Sequence, residues 1–175
     1  MAKVAIVLAD DFEDSEFETP HTTLLEHGHD VVVVGTEEAK EVNGKQGRVS
    51  YTVDCGVDQV TAADFDALVI PGGYSPDKLR TDESIVRFVK SFGDLGLPIA
   101  AICHAGSLLI EAGLVEGRTV TSWPSIRADL TNAGAAWMDQ DVVVDGNLIT
   151  SRNPDDLPAF VQTLLDHLGP AEIPA

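Results

Sequence analysis

In the run PIAAICHAGSLLIEAG, residues 98–113, Cys103 stands between an apolar segment and a helical pattern, with His104 directly after it. A cysteine in that setting is either a small core residue, as free cysteines commonly are, or a nucleophile on a strand–turn–helix elbow. An elbow needs small residues two before and two after the nucleophile, because the backbones crowd there. Ala101 and Ala105 occupy those positions, in place of the glycines of the esterase form G-x-S-x-G. The helix that follows would turn its N-terminal amides toward Cys103 and favour the thiolate. The amide of His104 falls where an elbow supplies an oxyanion donor. Its imidazole is a candidate base, although successive helical residues do not face each other.

Two further segments could join this chemistry. DDFEDSEFE, residues 10–18, packs six acids into nine residues. Acids suit the first turn of a helix, and most of these read as a solvated face. Glu13 and Glu16 lie three apart and can share a helix face. Either one, half-buried beside a thiolate, would have a raised pKa and could donate a proton. Pro71-Gly72-Gly73 closes an apolar run with two residues that let backbone amides approach a ligand closely. A phosphate loop is excluded, since no GK[ST] follows.

These segments need elements to carry them. Apolar runs at 3–9, 30–35, 66–73 and 97–103 alternate with helical patterns, among them one from about Pro76 to Phe92 and a last one over 154–168. EVNGKQG (41–47) with RVSYTVD (48–54) predicts a hairpin on an Asn-Gly turn, and VVVDGNLITS (142–151) predicts a second on Asp-Gly. RTVTSW (118–123) reads as a further strand, followed by a short helix. Continuous apolar strands separated by helices predict an α/β fold: a flavodoxin-like, doubly wound, mostly parallel sheet with helices on both faces and a cysteine elbow. Residues 1–169 would form a single domain, and 170–175 a loose tail. In such sheets ligands gather at the carboxyl ends of the strands, where all three segments fall.

Taken in order, ADDFEDSE, DFDALVIPGGYSPDKLR, PIAAICHAG, SWPSIRADLTNAGAAW and VVVDGNLITSRNPDDLPAF resemble the DJ-1/PfpI family, in its PfpI-like intracellular protease branch, over nearly the whole chain. The resemblance implies Cys103 as nucleophile and an acid from the first loop bonded to its sulfur, Glu16 first and Glu13 second. It implies the amides of Gly73 and His104 as oxyanion donors, with Gly72 and Trp123 in the substrate pocket. It further implies a Cys103–His104 pair oriented by an acid from a neighbouring subunit, hence a homo-oligomer, dimer or hexamer. The residue after YSP, commonly Glu in that pattern, is Asp77 here. The histidine is followed by Ala105-Gly106 where the family commonly has Gly-Pro.

Three functions use the same thiolate. A PfpI-like cysteine hydrolase acting on peptides stands first. A cofactor-free glyoxalase or protein deglycase acting on methylglyoxal-type carbonyls is the second. The third is a redox-sensing stress protein or chaperone with an oxidisable Cys103. A histidine next to the cysteine favours the enzymes, since a sensor needs no base. No cofactor or metal is expected: Cys55 and Cys103 form no CxxC pair and Cys55 reads as structural, while His27-Gly28-His29 reads as a turn.

The chain of 175 residues carries 29 acidic against 11 basic residues, a net charge of −18. Nucleic acid would be repelled by that field, and no apolar run approaches the length of a membrane span. The opening MAKVAIVLA lacks the pattern of a signal peptide, so a cytoplasmic location is expected. With its acids dispersed and only five lysines, the composition predicts a protein of a high-salt cytoplasm. Its thermal midpoint should therefore rise steeply as KCl is taken from millimolar to molar, and a midpoint indifferent to salt would sink that reading.

Overall fold

Val4, Ala5, Ile6 and Val7 are all fully buried, which requires apolar cover on both faces of the strand that carries them. The computed structural model provides it, and describes residues 1–170. The expected tail lies, beyond Pro170, outside the described residues. The elements are β1 (Lys3–Val7), α1 (Asp14–Glu26), β2 (Asp30–Gly35), β3 (Glu41–Asn43), β4 (Ser50–Thr52), β5 (Cys55–Gly56), β6 (Ala67–Ile70), α2 (Ser75–Leu79), α3 (Glu83–Asp94) and β7 (Ile99–Ile102). They continue with α4 (Gly106–Glu111), β8 (Thr119–Val120), α5 (Arg127–Asn132), β9 (Ala136–Trp137), β10 (Val143–Asp145), β11 (Leu148–Ser151) and α6 (Leu157–Leu168).

The main sheet has seven strands in the order β10-β11-β7-β6-β1-β2-β5. All its pairings are parallel except β10 with β11. Alternation along each strand divides the core in two. Ala5, Val7, Leu68, Ile70, Ile99 and Ala101 face a layer that includes Leu79, Phe88, Phe92, Leu108 and Leu130 from α2 to α5. Val4, Ile6, Val69, Ala100 and Ile102 face Phe17 and Leu24 of α1 and Phe160 and Leu164 of α6. This is the doubly wound, flavodoxin-like arrangement. The chain passes from β1 to β2 on one side and returns to β6 on the other, so β1 and β6 flank the switch point where ligands settle. Among the described residues no helix is long and apolar enough to cross a membrane.

The structure departs from the sequence expectations in four places, one of them the second hairpin, where Asp145 pairs with Leu148 and the two-residue turn is Gly146-Asn147 instead of Asp-Gly. The helix expected over 76–92 is two helices. Asp82 adopts an extended backbone and accepts from the amides of Ser84 (2.9 Å) and Ile85 (3.1 Å), capping α3 and ending α2 before it. The strand expected at 118–123 is only the two-residue β8, paired with β9 outside the main sheet. The first hairpin does not close on a two-residue Asn-Gly turn. Asn43 pairs with Ser50, leaving 44–49 as a loop. That loop wraps the Asp14 carboxylate, which accepts from the amides of Gln46 (2.8 Å), Arg48 (2.9 Å) and Val49 (2.9 Å).

Asp14 is therefore no solvated helix-start acid. Desolvation pushes its carboxyl up, but the three amides outweigh that and hold it below the ordinary aspartate value. A depressed folded pKa adds stability that is present above the unfolded value and lost as pH falls through the folded one. Asp14→Ala should cost about 1–3 kcal/mol at neutral pH by urea unfolding and open 44–49 to proteolysis, with the difference narrowing in acid. An unchanged urea midpoint would refute the role given to Asp14.

Candidate active site

Cys103 follows β7 directly and begins a short 3-10 turn, Cys103–Ala105, that leads into α4. Its φ is +63°, a left-handed conformation that costs a side-chain-bearing residue energy and that nucleophile elbows use to present the side chain. Ala101 and Ala105 are both buried, so the small residues flanking the elbow meet the crowding anticipated. The carbonyl of Cys103 accepts from the Trp123 amide at 3.1 Å, which ties the Trp123 segment to the turn.

The expected helix dipole is weaker than the sequence suggested, because α4 starts three residues after Cys103 and is six residues long. Individual amides take its place: those of Gly73 and His104 favour the Cys103 thiolate. Burial comes first among the influences on the thiol, and the Glu16 charge second. Together they push Cys103 up to about 12, against the two amides and Lys45.

Glu16 is fully buried. Its Oε1 accepts from the Gly72 amide at 2.9 Å. Its Oε2 has no nitrogen or oxygen partner among the described residues, and the carboxyl group adjoins Cys103. Burial, then the neighbouring Glu13, push Glu16 up to about 8, so it keeps its proton at neutral pH. Each acid thus raises the other. The pocket accommodates one negative charge shared between oxygen and sulfur and resists a second. Gly72 makes this closeness possible: a Cβ there would lie 2.5 Å from Glu16 Oε1 and 2.7 Å from Cys103 Cβ. Gly73 is needed for a different reason, a φ of +75° with the backbone of Asp11–Glu13 against it.

Glu13 turns elsewhere. Its Oε2 pairs with Lys45 Nζ at 2.8 Å, and Lys45 is the residue that sequence reasoning missed. It sits in the 44–49 loop, distant in sequence from every motif, and nothing in the spacing of NGKQG advertises it. Asp14 folds the loop back, and the Lys45 amide bonds the Phe12 carbonyl at 2.9 Å. Its ammonium lies 5.8 Å from the centre of the Tyr74 ring. The bond to Glu13 raises its pKa.

His104 is half-buried, with its ring centre 6.5 Å from that of Trp123. Burial and the Lys45 charge lower its pKa, and Asp77 opposes them. Among the described residues its imidazole makes no hydrogen bond, to Cys103 or to Asp77. Asp77 is exposed on α2. The structure thus gathers Cys103, Glu16, Gly72, Gly73 and the His104 amide into contact, and leaves the His104 imidazole, Asp77 and Trp123 around the rim. Cys55 is half-buried on the edge strand β5. The two histidines of the HxH serve separate backbone groups, His27 the Thr23 carbonyl and His29 the Ala2 amide.

The family model described as the DJ-1/PfpI family matches residues 2–167. The chain is 48% identical over 168 residues to protein/nucleic acid deglycase 2 of Escherichia coli, covering 95% of this chain and 98% of that one. It is 50% identical over 159 residues to general stress protein 18 of Bacillus subtilis, covering 90% and 92%. Among solved structures it superposes on Drosophila melanogaster DJ-1beta with a TM-score of 0.89 at 32% identity, covering 98% and 92%.

A buried carboxyl whose folded pKa is raised contributes fully below its unfolded value, 4.5, and loses that contribution as pH rises through about 8. Glu16→Gln should therefore stabilise the fold increasingly between those limits, by about 2–4 kcal/mol at the upper one. Equal urea midpoints for both proteins at pH 5 and pH 8 would show that Glu16 is not held protonated by the fold.

Proposed function

The chain belongs to the DJ-1/PfpI family, and from that premise we propose that it is a cysteine-dependent enzyme of small reactive carbonyls, of the glyoxalase or deglycase type. The observation that carries this reading is the fully buried Glu16 carboxyl packed against Cys103 at Gly72, with the His104 imidazole bonded to neither. Addition of a thiol to an aldehyde needs a proton passed from sulfur to the carbonyl oxygen, and a carboxyl group beside the sulfur is suited to that transfer. Peptide hydrolysis, which ranks first on sequence, needs a base for the nucleophile that then protonates the leaving amine as an acid, and an open bed for an extended chain. Cys103 is only 9% exposed, an access that favours a small electrophile. The name of the Escherichia coli relative, a deglycase, points the same way.

For methylglyoxal the sulfur attacks the aldehyde carbon, the C–S bond forms as the S–H bond breaks and its proton passes to the Glu16 carboxyl, which releases its own, and the carbonyl electron pair moves to oxygen. The amides of Gly73 and His104 stabilise that oxygen and Glu16 protonates it, giving a hemithioacetal. Transfer of the first carbon's C–H proton to the second carbon, with Glu16 as the shuttle, and of the first carbon's hydroxyl proton to the second carbon's oxygen converts it to a lactoyl thioester. Water then cleaves the thioester, releasing lactate and restoring the thiol. The sum is one water added, with no external oxidant or reductant. Trp123 and Gly72 would bound the pocket. Asp77, exposed in the single chain, would orient His104 across an interface in a homo-oligomer.

The test is lactate formation from methylglyoxal in molar KCl. Cys103→Ser should abolish turnover and Glu16→Gln should lower it by about 10²-fold or more, with both proteins folded. Full activity in Cys103→Ser would defeat the reading. A folded wild type that ignores methylglyoxal yet cleaves a fluorogenic peptide would transfer the same residues to the hydrolase.

A further inference from the structure

The segment from Thr121 to Pro124 is tied down at more points than a wall of a substrate pocket requires. Thr121, Ser122 and Thr150 are all buried. The Thr121 amide donates to Thr150 Oγ1 at 2.9 Å, and Thr150 pairs in register with Ala101 of β7, two residues before Cys103. Ser122 Oγ accepts from the Trp137 indole at 2.9 Å and donates to the Trp123 carbonyl at 2.8 Å. That carbonyl also accepts from the Ile126 amide at 3.2 Å. Trp123 itself is extended, at φ −55° and ψ 132°, as the following proline favours. The small sheet of β8 and β9 supplies the frame. In it Val120 pairs with Trp137, and the Arg127 guanidinium lies 5.8 Å from the centre of the Trp137 ring. Ile126 and Leu130 close the contact with the elbow, their methyl carbons 3.1 and 3.3 Å from where a Cβ on Gly106 would lie.

What this strap holds is a single peptide unit. The Trp123 amide donates to the Cys103 carbonyl at 3.1 Å. That carbonyl and the His104 N–H belong to one planar trans unit, so they point in opposite directions and fixing one fixes the other. The bond also polarises the unit, which strengthens its N–H as a donor. Cys103 stands at a φ of +63°, a conformation that persists only where the surroundings hold it. Resting on the reading of Cys103 as nucleophile of a carbonyl enzyme with the His104 amide as oxyanion donor, we propose that Ser122 is a positioning residue. Held by the Trp137 indole, its hydroxyl fixes the Trp123 backbone, and through the Trp123 amide it aims the His104 N–H at the oxygen on which charge develops. A hydroxyl suits the place because it accepts from one neighbour and donates to another at once. Ser122 is 1% exposed, so its effect reaches the reacting atoms only through the backbone it holds.

Ser122→Ala removes both hydroxyl bonds. Its kcat for lactate formation from methylglyoxal should fall about tenfold with KM changed less than about twofold, the mark of an interaction made in the transition state. Val89→Ala, which hollows the core at α3, measures destabilisation alone: it should lower the thermal midpoint and leave kcat unchanged while the protein stays folded. Trp137→Phe, which keeps the hydroxyl but frees it from the indole, should show the same split between kcat and KM at smaller size. Alkylation of Cys103 by iodoacetamide in a Cys55→Ser background reads the elbow without any substrate. Ser122→Ala should slow it about threefold at neutral pH, since the His104 amide favours the thiolate. A kcat unmoved in both Ser122→Ala and Trp137→Phe, or lowered no more than in Val89→Ala, would overturn the proposal. If the wild type makes no lactate, the carbonyl reading fails by itself and the alkylation rates decide. A rate slowed in Ser122→Ala but not in Val89→Ala then upholds the positioning role, and equal rates end it.

Discussion

At Gly72 a carboxyl oxygen, the Cβ of a cysteine and a backbone carbonyl come so close that a methyl group would not fit among them. This crowding brings a buried carboxyl against a thiol, where burial and proximity make each acid harder to ionise. Three elements have to converge for it to exist: the end of β6, which supplies Gly72 and Gly73, the first turn of α1, which supplies Glu16, and the end of β7, which supplies Cys103. Parallel strands around a topological switch point deliver three such ends to one place. A left-handed cysteine and a buried carboxyl both cost stability, and the two apolar layers that clamp the sheet supply what holds them.

The acidic segment at 10–18 is the second organising feature, and it works by division of labour. Asp14 gathers a loop, Glu13 holds a lysine, Glu16 enters the core, and Asp10 accepts from the Asn43 amide at 2.9 Å. Asp11 pairs with Lys78 at 2.7 Å in the open, where an ion pair adds little stability. Acids that look alike along the sequence thus differ in burial, partner and ionisation. Their environments set one buried carboxyl with a raised pKa apart from the acids that hold loops and a lysine, the usual way in which like residues acquire unlike surroundings.

Reactivity at Cys103 is accordingly a balance of opposed influences. Burial and a neighbouring acid act against the thiolate, while two backbone amides and a tethered lysine act for it. Amides fixed by the fold need no reorganisation when charge develops on sulfur or on a substrate oxygen, which is what makes them effective in a low-dielectric site. The chemical alternatives for the family differ in what approaches the sulfur rather than in how the sulfur is held.

The sequence by itself determined the fold class, the elbow and the glycine pair, because each is written locally. Continuous apolar strands set a sheet covered on both faces, Ala101 and Ala105 bracket the only cysteine with room to turn, and Pro71-Gly72-Gly73 ends a strand. Glu13 and Glu16 were legible as candidates, ranked by the family resemblance with Glu16 first but not separable by spacing, since a spacing of three can put both on one helix face. Tertiary structure decided between their surroundings by burying one against Gly72 and giving the other a lysine. It also decided what no local pattern could carry: that a loop thirty residues downstream of α1's first turn folds over Asp14 and delivers Lys45, and that the His104 ring faces Trp123 instead of the thiol. Contacts between residues remote in sequence depend on how the strands order themselves, and the physical chemistry of a buried charge depends on those contacts.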